Sequence, residues 1–360
     1  MSNTKSLHDL GQSLWLDNIT REILDDGTLR RYVEQYSITG LTSNPTIFDE
    51  AIGKTAAYDK GIRQKAQAGL SGENLFVELA LEDLRRAADL FRPEFERTQG
   101  IDGWVSMEVS PLLANDTRST IDAALQIHKL ASRPNLYIKI PGTAAGVPAI
   151  EAAIFAGVPV NVTLLFSREQ YLSVADAYMR GIERRIAAGL DPRINSVASV
   201  FVSRWDRAVA DKVPPELANR LGIAIMQRTY HAHCDLIAAK RWQDLEAKGA
   251  RKQRMLWAST GTKDPKAPAG LYVEALAAPD TIDTMPEKTL LAFAEKGSVK
   301  AVMAKDGGDA EQVLSRFARA GIDVDALAAQ LQVEGAASFV KSWTELMQRI
   351  KDKSAALAAA

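Results

Sequence analysis

Short apolar runs rich in β-branched and aromatic residues, most of them ending in polar side chains, alternate along this chain with longer stretches of helical period. Such alternation is the pattern of repeated βα units on a parallel sheet. Eight runs can be read: 13–18 (SLWLDN), 38–44 (ITGLTSN), 105–110 (VSMEVS), 136–141 (LYIKIP), 158–166 (VPVNVTLLF), 196–203 (SVASVFVS), 255–260 (MLWAST) and 271–276 (LYVEAL). They predict an α/β fold, a (β/α)8 TIM barrel with parallel strands. The stretch from Asn44 to Val105 leaves room for at least two additional helices. The clearest starts near Asn74, with Phe76, Ala80, Leu84, Ala87 and Phe91 at three- and four-residue spacing, and Pro93 is expected to stop it. Ser167-Arg168-Glu169-Gln170 has capping-box spacing directly after a run. With no internal repeat and no Pro/Gly/Ser-rich linker, 1–360 reads as a single barrel domain with a C-terminal helical extension from about 309 to 360.

Side chains of a strand alternate between faces, so parity sorts each run into a face toward the barrel interior and a face toward the helices. Ile138 and Ile140 oppose Tyr137 and Lys139; Leu14 and Leu16 oppose Trp15 and Asp17; Met107 and Val109 oppose Ser106, Glu108 and Ser110. Val160, Val162 and Leu164 likewise oppose Asn161 and Thr163, and Ala198, Val200 and Val202 oppose Ser199, Phe201 and Ser203, while Thr42 and Asn44 share a face. Parallel strands covered on both sides are normally apolar throughout. Burying unpaired charge is too costly to be accidental. Polar residues near the carboxyl ends of strands therefore mark an active site.

Composition narrows the chemistry. Basic and acidic residues nearly cancel, 44 against 45, so no broad footprint for nucleic acid exists. Cys234 is the only cysteine, which excludes an intramolecular disulfide and a multi-thiolate metal site. The amino terminus lacks an apolar signal core, and no run of about 18 apolar residues is present to span a bilayer. The expectation is a soluble cytoplasmic protein, monomer or homodimer, whose partners are small molecules rather than nucleic acid or membrane.

A lysine among carboxylates, with no metal ligand set, suggests imine catalysis. Attack on a ketone requires the neutral amine, whereas a free lysine has a pKa of about 10.4. Burial can depress it, and neighbouring ionised acids act the other way. The runs alone leave the states of Asp17 and Glu108 open.

The segments LWLDNI, GLTSNPTIF, YIKIPGT, NVTLLFS and LWASTGTK, followed by VEALAAPDTIDTMP, are similar to those of transaldolases, in particular the longer bacterial type, over essentially the whole chain. The resemblance implies a class I Schiff-base transferase without cofactor or metal, acting on sugar phosphates in the non-oxidative pentose phosphate pathway. It moves a dihydroxyacetone unit from sedoheptulose 7-phosphate or fructose 6-phosphate to erythrose 4-phosphate or glyceraldehyde 3-phosphate. Carried over by position, Lys139 resembles the imine-forming lysine, and Asp17 the carboxylate that takes the C4 hydroxyl proton. Glu108 resembles the acid/base that works through a water, and Thr163 the hydroxyl that positions that water. Asn44 and Asn161 correspond to residues holding hydroxyls of the three-carbon unit, and Ser199 to a binding hydroxyl. Phe201 resembles the phenylalanine of transaldolases, where related fructose 6-phosphate aldolases tend to have a tyrosine. A phenyl ring cannot donate a proton, which favours transfer over cleavage. Arg204 matches the phosphate arginine, whose fork grips oxygens in pairs. Shorter transaldolases have a Ser-x-Arg where this chain reads Ser259-Thr260-Gly261-Thr262-Lys263; Ser259 and Lys263 are assigned there, and the pattern departs from the family at that point.

Plain structural readings stand beside these. A lone strand lysine is usually an exposed edge residue, Asp17 a cap, Glu108 an ion-pair partner and Asn44 before Pro45 a turn signal. Asn161 and Thr163 can satisfy buried backbone, Phe201 can be packing, and Arg204 and Lys263 can be solvated charges. His231, His233 and Cys234 look like a ligand cluster, but residues two apart on a helix do not share a face. Gly142-Thr143-Ala144-Ala145-Gly146 lacks the Gly-Lys-Ser/Thr ending of a nucleotide loop and reads as the mobile loop after the lysine strand. A lyase of the fructose 6-phosphate aldolase kind and a non-catalytic sugar-phosphate binder remain the alternatives.

Overall fold

The structure is a computed structural model and describes residues 2–359. Eight strands, β1 (Ser13–Asp17), β2 (Ile38–Thr42), β3 (Val105–Glu108), β4 (Leu136–Pro141), β5 (Val160–Leu165), β6 (Ser196–Phe201), β7 (Arg254–Ala258) and β8 (Ile282–Met285), form one sheet in the order β2-β1-β8-β7-β6-β5-β4-β3. Every ladder is parallel. The ring closes where the Leu41 amide on β2 donates to the Trp104 carbonyl just before β3, at 3.0 Å. Helices cover the outside, making the (β/α)8 barrel that the alternation of runs predicts.

Seven of the eight expected runs overlap strands, and the last does not. Residues 271–276 (LYVEAL) are expected to form a strand, yet Leu271–Ala275 is a short helix and β8 follows at Ile282–Met285. Tyr272 and Leu276, four residues apart, are both buried, and the Tyr272 hydroxyl donates to Asp206 at 2.8 Å. Helical spacing thus buries the larger side chains of a segment too short for periodicity to decide.

Pro93 does not stop its helix, which runs from Gly72 through Arg97. The proline sits on an exposed position, where water can replace the missing backbone bond. Phe95, two residues on, packs edge-to-face against Trp104 at 5.1 Å and anchors the turn beyond it. Helices Pro45–Lys54 and Asp59–Gln67 precede it, so the connection from β2 to β3 carries three helices. The capping box at Ser167 is formed on both sides, opening the helix Arg168–Ala187.

The lower barrel is filled by aromatic rings. Tyr137 stacks on Trp104 with centroids 4.0 Å apart and lies 6.2 Å from Trp15. Trp15 pairs with Gly40 on β2, where any Cβ would stand 2.7 Å from the indole. A side chain at position 40 is therefore incompatible with that filling.

The C-terminal segment is two helices, Ala310–Arg319 and the 36-residue Val324–Ala359. At a rise of about 1.5 Å per residue the second is about 54 Å long, enough to cross the whole barrel mouth. Arg349 and Lys353 pair with Asp49 and Asp59 at 2.6 and 2.7 Å, tying it to the insertion after β2. No helix among the described residues is long and apolar enough to cross a membrane.

Candidate active site

At the carboxyl ends of the strands lies a cavity of about 650 Å³, within the usual range of ~300–1,000 Å³ for small-molecule sites. Its walls include Asp17, Asn44, Lys139, Thr163, Ser199, Phe201, Arg204, Ser259 and Lys263. Parity explains how residues so far apart in sequence converge: Lys139 pairs with Glu108 on one side and Asn161 on the other, and Asp17 with Thr42. Glu108 and Asn161 are buried just behind the wall.

Lys139 is 5% exposed. Its Nζ donates to the Ser43 carbonyl at 3.3 Å and lies 3.3 Å from Glu108 Oε2. That ion pair lacks hydrogen-bond geometry, and both Glu108 oxygens are without a hydrogen-bond partner among the described residues. Thr163 Oγ1, also buried, has none either. Native proteins satisfy most buried polar atoms, so the unpartnered Glu108 oxygens beside the ammonium call for an explanation.

Both acids are held above the ordinary carboxylate range. Burial raises Asp17, against the opposing pull of the Thr42 hydroxyl, Lys139 and Lys263. Burial likewise raises Glu108; Lys139 pulls it down and the charge of Asp17 pushes it further up. The question of their states therefore resolves in direction: protonation of either acid is easier than in water. Asp17 is oriented by the Thr42 hydroxyl at 2.7 Å, itself 2.7 Å from Thr284 on β8.

Beneath the lysine, Asn161 Nδ2 donates to Ser106 Oγ at 3.1 Å and Ser199 Oγ donates to Asn161 Oδ1 at 2.7 Å, a chain across β3, β5 and β6. Asn44 caps the helix Pro45–Lys54, its Oδ1 accepting the Ile47 amide at 3.1 Å. The turn reading of Asn44 thus holds, and the residue also lines the cavity.

Arg204, Lys263 and Ser259 line the same cavity. Ser259 adopts a left-handed φ of 59° and shares a 2.8 Å hydrogen bond with Ser203. Desolvation lowers the pKa of Arg204, helped by Arg207; Lys263, exposed at the rim, is lowered by desolvation and then by Arg204 and Arg207. Like charges gathered without an ion-pair partner among the described residues describe an anion site.

One expectation of the sequence needs revision here. Leu164 is expected on the outer face, but β5 bulges after Val162 and Leu164 takes φ 59°, bringing it under the C-terminal helix beside Gly335. Residues missed altogether include Thr284 on the misplaced last strand, and Ser338 and Phe339, which line the cavity from the C-terminal helix. Thr284 carried a signal, the alternation of IDTM; Phe339 carried none beyond helical amphipathicity. His231 and His233 do part company on their helix: His231 is exposed beside Asp235, whereas His233 is buried, bonded to the Tyr171 hydroxyl at 2.7 Å, with its pKa lowered by burial to about 4. Gly142–Ala145 is the loop between β4 and the helix Gly146–Ala156, with Thr143 Oγ1 donating to the Ala114 carbonyl at 2.6 Å.

Comparison with known proteins agrees with this geometry. The family model described as Transaldolase/Fructose-6-phosphate aldolase matches residues 14–350. The chain is 43% identical over 359 residues to a protein named Transaldolase from Saccharopolyspora erythraea, covering 98% of both chains. It is 42% identical to the Transaldolase of Thermobifida fusca over 99% of both, and 40% identical to Transaldolase 2 of Nostoc punctiforme over 95% of both. The chain belongs to the transaldolase/fructose-6-phosphate aldolase family.

Proposed function

We propose that this protein is a transaldolase, transferring a dihydroxyacetone unit between sugar phosphates through an imine at Lys139. The observation that carries the reading is Lys139 itself: a buried ammonium in contact with Glu108, in a cavity that also holds Arg204 and Lys263 without ion-pair partners among the described residues. A ketose phosphate spans those two features, its C2 carbonyl at the lysine and its phosphate at Arg204, Ser259 and Lys263.

In this reading Lys139 adds to C2 and Glu108, working through a water held by Thr163, moves the protons that expel hydroxide as water. Asp17 then takes the C4 hydroxyl proton, the C3–C4 bond breaks, and glyceraldehyde 3-phosphate leaves from fructose 6-phosphate. Burial raises the pKa of Asp17, which makes it a stronger base than a solvated carboxylate. The enamine left on Lys139 is held by Asn44, Asn161 and Ser199. It attacks the aldehyde of erythrose 4-phosphate, Asp17 returns its proton, and water releases sedoheptulose 7-phosphate. Phe201, 6% exposed beside the cavity, offers no proton to the enamine, which supports transfer over a fructose 6-phosphate lyase. A reducing, cytoplasmic setting is consistent with a lone cysteine.

Two assays test the reading. Borohydride added with fructose 6-phosphate is expected to fix a three-carbon adduct on the Lys139 peptide; labelling elsewhere, with that peptide unmodified, would falsify the assignment. Consumption of fructose 6-phosphate is expected to depend on added erythrose 4-phosphate, and product formation at full rate without acceptor favours the lyase instead.

A further inference from the structure

One wall of the cavity comes from neither a strand nor a βα-loop. Gln332, Gly335 and Phe339 follow one another at three- and four-residue spacing along one face of the helix Val324–Ala359. Gln332 Nε2 donates to the carbonyls of Leu164 at 3.0 Å and Gly142 at 3.1 Å, at the ends of β5 and β4. Gly335 permits close approach: a Cβ there would stand 2.9 Å from Leu164 Cδ2 and 3.3 Å from Arg204 Nη1. One turn on, Phe339 is 6% exposed, with its ring centre 5.5 Å from Lys139 Nζ and 5.9 Å from Arg204 Cζ. Arg204 also lies 5.5 Å from the Phe201 ring, and Phe201 is backed by Phe166 at 5.3 Å. Lys139 and Arg204 thus share one aromatic neighbour, delivered from outside the barrel.

We propose that Phe339 is a positioning and specificity residue that shields the carbon unit on Lys139 from water, so that it passes to an aldehyde acceptor. The inference rests on the imine reading above. In the branch it suppresses, the enamine carbon takes a proton and the resulting iminium adds water. The C2–N bond then breaks, so one water is consumed, dihydroxyacetone leaves and Lys139 regains its amine. No oxidant or reductant is involved. An apolar ring over the ammonium contributes in two ways: it keeps bulk solvent from protonating the enamine carbon while the water held by Thr163 stays on the barrel side, and its face attracts the cation and fixes the lysine's direction. Phe201 removes a proton donor from the barrel side, and Phe339 closes the side the barrel leaves open.

The test compares Phe339→Ala and Phe339→Leu with the wild-type enzyme, measuring glyceraldehyde 3-phosphate released from fructose 6-phosphate with and without erythrose 4-phosphate. The ratio of acceptor-independent release to transfer is expected to rise roughly threefold to thirtyfold in Phe339→Ala, the span of cation–π contacts from exposed to desolvated, and by less in Phe339→Leu. Borohydride is expected to label Lys139 in every variant. A change confined to packing lowers both rates together and leaves the ratio at the wild-type value, and that result overturns the proposal. Phe339→Leu retains most of the buried volume, so it keeps the test available if the alanine variant fails to fold. Wild-type enzyme that gives no adduct at Lys139 overturns the imine reading itself; a labelled wild type with an unchanged ratio in the variants overturns only the role of Phe339.

Discussion

Asp283→Asn is expected to remove a pH dependence that the wild-type fold carries. Asp283 on β8 is fully buried. One carboxyl oxygen accepts the Thr260 hydroxyl at 2.8 Å; the other has no partner among the described residues. Burial pushes its pKa up from 3.8 to about 7, and the Thr260 bond only partly opposes this. The folded state therefore binds more protons than the unfolded chain between those two values. Stability is greatest below the unfolded value and falls as pH rises through the window, levelling off once the buried carboxyl is charged. Integrating between pH 5 and pH 8 with 3.8 unfolded and about 7 folded gives a loss of about 2.5 kcal/mol for this one group. Asparagine keeps the shape and an acceptor for Thr260 but does not titrate. Urea midpoints at pH 5 and pH 8 should show Asp283→Asn gaining on the wild type by about that amount at the higher pH, whatever their difference at the lower. Parallel midpoints across the two conditions would refute the reasoning, because all other titrating groups are common to both proteins.

Asp206 accepts the Leu221 and Gly222 amides at 2.9 and 3.2 Å and the Tyr272 hydroxyl at 2.8 Å, so Asp206→Ala strands three buried donors. It is expected to cost about 3 kcal/mol or more in denaturant titration, with Asp206→Asn losing less; equal losses would mean the bonds contribute little. Glu108→Gln is expected to slow imine trapping by roughly a hundredfold or more and to abolish any limb of the pH–rate profile that comes from Glu108 ionising as pH rises; an unchanged profile takes Glu108 out of proton transfer. Asp17→Asn should still be trapped by borohydride while cleaving fructose 6-phosphate slowly, and wild-type turnover would remove it from the mechanism. Arg204→Ala is expected to raise KM for phosphorylated ketoses roughly tenfold to a hundredfold, as for other charge-assisted contacts, with little effect on an unphosphorylated ketose. An equal loss on both substrates points to packing instead.

The sequence made the inner half of the site legible because strands obey a period of two. Lys139, Asp17, Glu108, Asn161 and Ser199 each sit where parity alone puts them; the ladders set Glu108, Lys139 and Asn161 side by side, and a hydrogen bond joins Ser199 to Asn161. Parity failed where the backbone stops obeying it. At Leu164 a left-handed residue shifts the register of β5, and no rule of alternation anticipates a bulge. The last strand was misplaced because LYVEAL and IDTM are both too short for their own pattern to decide; only the need to pair with Leu256 and Ser13–Leu16 selects Ile282–Met285.

The outer wall was illegible for a different reason. Phe339 is separated from Lys139 by most of the barrel, and its position on an amphipathic helix is indistinguishable in sequence from ordinary packing. What makes it part of the site is a set of long-range contacts. Gln332 bonds the ends of β4 and β5, Gly335 leaves room over Arg204, and Arg349 and Lys353 hold the far end to the insertion after β2. The insertion and the C-terminal helix therefore act as one clamp across the barrel mouth. A parallel barrel brings catalytic side chains to its rim but leaves that rim open to water. An enamine that must wait for a second substrate needs the rim covered. In this chain the cover is built from segments outside the repeating βα units, so the share of the shielding proposed for Phe339, unlike that of Phe201 on β6, lies where the repeat carries no information.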